Sequence, residues 1–293
     1  MRILLTGGSG ALGRNIAESL RLDPSVELFL AERTDWADPD LLLKTTQPDV
    51  VIHSAACGLE RPRPDSGEMV NFNVSSTLRL FRACPDAHFV FIGSALAYLP
   101  QGRALSEEDP LGSNDTYAAT KGAAEWLLRA DAIARRRRLT VVRPFGFTGR
   151  HDRPSRLFPA LLSAAQRGEA FAMSPGEQIR DFSAVQDIAD AVHRIAKRTT
   201  GECYETFNLG SGNAVPLKEL VQKVSCALRL RVDLRMGARP YPPAEPMHLV
   251  ANTQRAQSLL GWKAETDVAY AVWQLARSSF PDLEVACPKC NRN

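Results

Sequence analysis

Arg2-Ile3-Leu4-Leu5-Thr6-Gly7-Gly8-Ser9-Gly10-Ala11-Leu12-Gly13 is the stretch whose reading decides the fold. Residues 2 to 6 read as a buried strand, and Asn15 to Leu22 reads as a helix. Between a strand and a helix, glycines at 7, 10 and 13 permit a tight turn, let backbone approach a pyrophosphate, and allow the helix to pack on its strand. The first N–H groups of that helix then offer a positive dipole to phosphates. The spacing is G-x-x-G-x-x-G rather than G-x-G-x-x-G, but the flanking strand and helix are the context that turns a glycine triplet into a dinucleotide site. Gly7, Ser9, Gly10, Ala11, Leu12 and Gly13 are therefore candidate cofactor ligands.

Working outward, Glu32 ends the second strand, 19 residues after Gly13, where an acid binds ribose hydroxyls. Glu32 repels a 2′-phosphate and favours NAD, whereas Arg33 beside it pairs with that phosphate and favours NADP, so the lean to NAD is slight. Asp35 and Trp36 extend the same adenosine side. Strand patterns at Val26–Leu30, Val50–Ser54, His88–Ile92 and Leu139–Val142 alternate with helical ones near Asp38–Thr45, Met69–Ala83 and Tyr117–Arg137. That alternation predicts an α/β fold, a Rossmann-type doubly wound parallel sheet. After Phe145 proline and glycine become frequent and strands short, with helices over Leu157–Gln166, Asp187–Ala196 and Leu217–Leu228. The expected division is a cofactor-binding domain over 1–145, to which segments near 177–210 return. A smaller mixed α/β substrate-binding lobe covers 146–280, and a mobile tail covers 281–293.

Composition narrows the classes. The 293 residues carry 36 Lys plus Arg against 33 Asp plus Glu, a net charge of +3, too balanced for a nucleic-acid or membrane-surface protein. The run Arg135–Arg138 reads as helix-closing cations rather than a nucleic-acid patch. No apolar run is long enough to span a bilayer, and the chain enters a strand with no leader pattern, so a cytoplasmic location is expected. The six cysteines do not suggest a disulfide framework, and Cys287-Pro288-Lys289-Cys290 lacks the second pair that a zinc site needs, so no metal is expected.

Tyr117-Ala118-Ala119-Thr120-Lys121 places a phenol and an ammonium on one helix face. A phenol is a poor acid or base near neutrality, and a nearby cation stabilises its anion. Ser94 follows a buried strand and is placed to hydrogen-bond a substrate oxygen.

With these motifs the chain resembles the extended short-chain dehydrogenase/reductase family, in its NAD-dependent epimerase/dehydratase group. The resemblance rests on Thr6 to Gly13, His53-Ser54-Ala55-Ala56, Asn73 with Ser76-Thr77, Gly93-Ser94-Ala95-Leu96-Ala97-Tyr98, Tyr117 to Lys121, Arg143-Pro144, Arg180-Asp181-Phe182 with Asp187, and Asn208 to Gly212 with Leu259 to Trp262. It implies a nucleoside-diphosphate sugar as substrate and a homodimer built on the helices that include Met69–Ala83 and Tyr117–Arg137. By resemblance Tyr117 exchanges the proton, Lys121 holds the nicotinamide ribose, and Ser94 polarises the sugar oxygen. Ala55, Ala56 and Pro144 line the cofactor channel, Asn73 supports phosphates or local backbone, Ala95 meets substrate, and Arg180 meets its nucleotide or diphosphate unless it pairs with Asp181.

Departures from that group select the chemistry. Ala95 and Leu96 stand where sugar 4,6-dehydratases carry an acid pair, and neither transfers protons. Reductases that also epimerise carry a cysteine at the Leu96 position. Two activities remain: reduction of a nucleoside-diphosphate 4-keto-6-deoxyhexose, which is favoured, and a 4-epimerase with retained NAD. The short connection from Glu32 to Val50 leaves little room for the usual third strand, as in the smaller reductases. Gly146 replaces an asparagine common near the nicotinamide. A regulatory NAD(P)-binding protein without turnover is the alternative of another class, but such proteins lose the tyrosine or lysine present here. His53 reads as a satisfied core residue, and His151 and Asp152 face either the cleft or solvent.

Overall fold

The apolar runs pair side by side. β1 (Arg2–Thr6), β2 (Glu27–Ala31), β3 (Val50–His53), β4 (His88–Ile92) and β5 (Leu139–Pro144) lie in one parallel sheet. The computed structural model describes residues 1–32, 35, 39–59, 64–243 and 245–289. Later come β6 (Gly146–Thr148), β7 (Phe171–Met173), β8 (Ile179–Arg180), β9 (Phe182–Ala184) and β10 (Tyr204–Leu209), then β11 (Val215–Pro216), β12 (Leu234–Met236) and β13 (His248–Leu249). β10 pairs parallel with β5, giving a six-stranded sheet in the order β10-β5-β4-β3-β1-β2. β2 is thus an edge strand, and no further strand lies outside it among the described residues, as the short connection after Glu32 implies.

The order reverses between β1 and β3, which opens a crevice at the carboxyl ends of the strands. The helices are α1 (Ala11–Arg21), α2 (Pro39–Thr46), α3 (Ser66–Val70), α4 (Thr77–Ala83), α5 (Thr116–Arg135), α6 (Leu157–Arg167), α7 (Val185–Lys197), α8 (Leu217–Ala227), α9 (Gln254–Leu260) and α10 (Val268–Ser279). Two apolar cores sandwich the sheet. One joins Ile3, Leu5, Ile52 and Val90 to Ile16 and Leu20 of α1, Ile188 and Val192 of α7, and Trp262. The other joins Leu4, Val51, Phe89 and Phe91 to Leu80 and Phe81 of α4 and Leu128 of α5. A third core lies between α6, α8 and α10, around Phe158, Leu161, Val221, Val224, Val272 and Leu275.

Three expectations need revision. The helix expected over Met69–Ala83 starts earlier, where Asp65 Oδ1 accepts from Glu68 N at 2.9 Å, and its middle, Asn71–Ser76, is wound as a π-helix between α3 and α4. The tail is docked up to residue 289: Leu283 and Val285 pack on the third core, and Ala286 N donates to the Leu228 carbonyl at 3.0 Å. Cys290 lies outside the described residues. Of the arginine run, Arg135 ends α5 and Arg136 takes the left-handed cap at φ 51°. Arg137 is buried and turns inward onto the Phe81 and Cys84 carbonyls that end α4. Arg137 thus closes α4, while exposed Arg135 lies in the last turn of α5.

Candidate functional site

A cavity of about 860 Å³ runs along the carboxyl ends of β1, β3, β4 and β5. One end is the glycine turn. Gly7 sits at φ +71°, and a Cβ there would lie 2.5 Å from Ala55 N. A Cβ on Gly13 would run into the Gly7 carbonyl oxygen. Both positions admit only glycine, and the turn they form is a backbone cradle of the size a pyrophosphate occupies. Gly10, the N-cap of α1, makes no side-chain cap, so the opening N–H groups of that helix have no capping side-chain acceptor. Ser9, Ala11, Leu12 and Glu32 line the same end, and Ala55 and Ala56 form the small-residue wall after β3. Asp35 does not line the cavity; its Oδ2 accepts from Glu32 N at 2.7 Å and so shapes the turn that presents Glu32. Arg33 and Trp36 lie outside the described residues. The arrangement fits a nicotinamide dinucleotide laid from Glu32 past the glycine turn towards Pro144.

The other end brings Ser94, Tyr117 and Lys121 to one cavity. Ser94 follows β4 in an extended conformation, and its Oγ accepts from Leu96 N at 3.2 Å. Tyr117 and Lys121 sit in the first turns of α5, which begins at Asp115, whose side chain accepts from Ala118 N at 3.1 Å. Burial pushes the Tyr117 phenol up to about 12, and the largest charges drawing it back are the guanidiniums of Arg156 and Arg153. Burial lowers the Lys121 ammonium to about 7, and the Glu125 carboxylate opposes that. Lys121 Nζ lies 4.2 Å from the centre of the Phe91 ring, a cation–π contact that holds it beneath the site.

Below Lys121, Glu125 takes both guanidinium arms of Arg143, with Arg143 Nε at 3.1 Å, and also accepts from Tyr204 O–H at 3.3 Å. Arg143 further reaches Tyr98 Oη and the Glu107 carbonyl, and Tyr98 donates to Asn208 Oδ1 at 2.7 Å. The segment after Ser94 is thus tied to β5 and β10 through buried polar groups.

Asn73 is spent on local structure. Its carboxamide accepts from Cys57 N and donates to Cys57 O and Thr120 Oγ1, each at 2.9 Å. It props the wall after β3 against α5, with the π-helix turning it there, and it does not line the cavity. Arg180 does line it, but its ion pair is with Glu245 rather than Asp181. Asp181 is fully buried and accepts from Ser211 N, Ser211 Oγ, Gly212 N and Ala251 N between 2.6 and 3.1 Å. Gly146 has a packing reason: a Cβ there would lie 2.5 Å from the Asp181 carbonyl, because β6 runs close beside β9. His53 is the satisfied core residue expected, with Nδ1 on Thr6 Oγ1 at 2.8 Å and Nε2 on Thr77 Oγ1 at 2.9 Å.

His151 and Asp152 do not line the cavity; His151 bonds Glu18 on α1, and Asp152 bonds Thr148. Their neighbours Arg153 and Arg156 do, and sequence reasoning missed both. The signal was Arg153-Pro154-Ser155-Arg156, two cations in a loop leading into a helix. Cys57, Phe147 and Phe182 also enter the wall, so the end beyond Tyr117 is largely apolar, with Ala95, Leu96, Phe145, Phe147 and Phe182 around it. Among the described residues no cluster suited to a metal ion is found, and no helix is long and apolar enough to cross a membrane.

Residues 3–210 match the NAD dependent epimerase/dehydratase family. A UDP-glucose 4-epimerase from Lactobacillus helveticus is 25% identical, the match covering 95% of this chain and 98% of that one. A GDP-6-deoxy-D-mannose reductase from Pseudomonas aeruginosa is also 25% identical, over 91% of this chain and 93% of that one. The structure of MoeE5 in complex with UDP-glucose and NAD superposes with a TM-score of 0.84 at 26% identity, covering 96% of this chain and 99% of that one.

Proposed function

Since the chain belongs to the NAD dependent epimerase/dehydratase family, whose named relatives are nucleotide-sugar enzymes, we propose that it is an NAD(P)-dependent oxidoreductase acting at C4 of a nucleoside-diphosphate sugar, and specifically that it reduces a 4-keto-6-deoxyhexose. The observation that carries this is the meeting of Ser94, Tyr117 and Lys121 in the cavity that begins at the glycine turn. In this reading 1–145 is the cofactor-binding part, with segments near 177–210 returning to it, and 146–280 supplies the substrate side. Bound nicotinamide supplies the hydride chemistry at C4. Tyr117 gives its proton to the C4 oxygen, and Ser94 donates a hydrogen bond to the same oxygen. Lys121 binds the nicotinamide ribose, while Arg156 and Arg153 favour the phenolate left on Tyr117. Ala95 and Leu96 offer no proton to a C6 hydroxyl, so these two positions supply no acid for loss of water, and the apolar wall suits a C6 methyl group. Arg180 lies on the side where the substrate diphosphate would run.

Reduction needs cofactor exchange at every cycle, and the sheet edge at β2, with Leu30 43% exposed, supports an open adenosine side. Glu32 in the lining supports the lean to NAD. A second reading, 4-epimerase with retained NAD, is supported by the near full-length likeness to a UDP-glucose 4-epimerase. A homodimer is supported by Val70, Trp126, Leu127 and Ile133, apolar side chains exposed by about half on α3 and α5. Free thiols at Cys84, Cys203 and Cys226 suit a cytoplasmic location.

The test supplies nucleoside-diphosphate 4-keto-6-deoxyhexoses with NADH and NADPH separately and follows nicotinamide absorbance, alongside nucleoside-diphosphate hexoses analysed for their C4 epimers. Stoichiometric oxidation of the reduced cofactor supports the reductase. Sugar interconversion without net absorbance change replaces it with the epimerase, and neither outcome with any sugar would overturn both.

A further inference from the structure

The loop between β6 and α6, residues 149–156, is fastened to the helix that carries the glycine turn. Asn15, buried one turn into α1, donates from Nδ2 to the Ala11 carbonyl at 2.8 Å and to the Arg150 carbonyl at 2.9 Å. Glu18, on the same helix, bonds His151 Nε2 at 2.6 Å and pairs with Arg150 at 3.5 Å. Within the loop, Asp152, whose carboxylate is buried, accepts from Thr148 Oγ1 at 3.0 Å and from Arg153 N at 2.9 Å, and pairs with Arg156 at 3.3 Å. These ties bring Arg153 back over the glycine turn. Its Nη2 lies 3.9 Å from the point where a Cβ on Gly10 would stand, and its side chain lines the same cavity.

We propose that Arg153 is a direct ligand of the cofactor's pyrophosphate, facing the N-terminus of α1 across it, so that residues 149–156 are the second jaw of the cofactor site. The proposal rests on the nicotinamide-dinucleotide reading and adds a residue to it. A pyrophosphate carries two negative charges. The helix N-terminus offers roughly half a positive charge, and the turn adds backbone N–H groups without net charge. One guanidinium, with paired donors in fixed geometry, supplies what that side lacks. Arg156 is occupied differently, 4.4 Å from the Phe147 ring centre and paired with Asp152, so the two cations of the loop have separate duties.

The experiment measures dissociation constants of the full chain and of Arg153→Gln, Arg153→Lys and Arg167→Gln for NADH, ADP-ribose, adenosine and UDP by calorimetry. Far-ultraviolet circular dichroism and melting check that each variant folds. Arg153→Gln is expected to weaken NADH and ADP-ribose by about tenfold or more, with adenosine and UDP unchanged. Arg153→Lys should recover part of the loss, and Arg167→Gln, at the exposed end of α6, should bind as the native chain does. Folded Arg153→Gln with native affinity for NADH and ADP-ribose overturns the proposal. So does a loss confined to UDP, which would make Arg153 a substrate ligand. If Arg153→Gln does not fold, native NADH affinity in Arg153→Ala or undiminished affinity in Arg153→Lys together with salt-independent binding by the native chain overturns it equally. A native chain that binds neither NADH nor ADP-ribose would instead refute the cofactor reading beneath it.

Discussion

Lowering the pH from 7 to 5 should cost the fold stability through two buried histidines. His53 is fully buried, and desolvation, with the Lys121 charge, holds its imidazole well below the ordinary 6.5. His88, on the same sheet, is lowered to about 3 by burial, with Arg138 and Arg198 adding to the effect. His88 stays neutral in the folded chain across this window and burial holds His53 towards its neutral form, whereas in the unfolded chain both take up protons below 6.5. The unfolded state therefore binds more protons, and stability falls as pH falls from 6.5 towards each folded value. His88, with its folded value near 3, contributes about 1.4 kcal/mol per pH unit below its unfolded pKa and so costs about 2 kcal/mol between pH 7 and pH 5, and His53 adds to the loss in the same direction. Asp152, Asp181 and Glu107, raised by burial, act in the opposite sense and offset part of this. The histidine share is isolated by comparing the native chain with His88→Gln in urea denaturation at both pH values. The variant should lose about 2 kcal/mol less than the native chain over the interval. Equal losses in the two proteins would refute the reasoning.

Tyr117→Phe removes only the hydroxyl and should lower turnover by about a hundredfold to ten-thousandfold while leaving NADH affinity intact, read by steady-state kinetics and calorimetry. Gly13→Ala places a methyl against the Gly7 carbonyl, and it should abolish dinucleotide binding or destabilise the turn, as titration and melting would register. Glu125→Gln leaves the buried Arg143 guanidinium without its counter-charge and should destabilise the fold by about 3–5 kcal/mol in urea, whereas Glu125→Leu combined with Arg143→Met should recover much of that loss.

The parts of the site that were legible in the chain are those where local sequence and local geometry coincide. Gly7 to Gly13 had to be read only against the strand before and the helix after, and the Tyr117–Lys121 spacing is a one-turn relation within α5. The short segment after Glu32 announced an edge strand because a strand needs residues that are not there. Arg153 and Arg156 were illegible for the opposite reason. They reach the cavity because Asn15 and Glu18, more than a hundred residues earlier, hold their loop, and no local pattern encodes that meeting. By resemblance Asn73 was to support phosphates or local backbone and Arg180 to meet the substrate or pair with Asp181; which partners they take, Cys57 and Thr120 for the one and Glu245 for the other, was not legible because those partners come from other segments. The tail was read as loose because it has no period, yet Leu283 and Val285 pack on the third core and Ala286 N bonds the Leu228 carbonyl.

The wide turn at Asn71–Ser76 also sets the phase of the helix on either side of it. The inward positions run Met69, Asn73, Thr77 and then Leu80 and Phe81. In an ordinary helix each four-residue step overshoots a full turn by about 40°, so two in succession would carry Thr77 away from the direction of Met69. A wider turn holds more residues and absorbs the overshoot. Asn73 and Thr77 can then face the sheet together, and α4 resumes with Leu80 and Phe81 still aimed at the core. Removing one residue from this segment would rotate everything beyond it. The carboxamide that props the cofactor wall and the phenylalanine that seals the sheet are therefore tied to a single insertion in the winding of one helix.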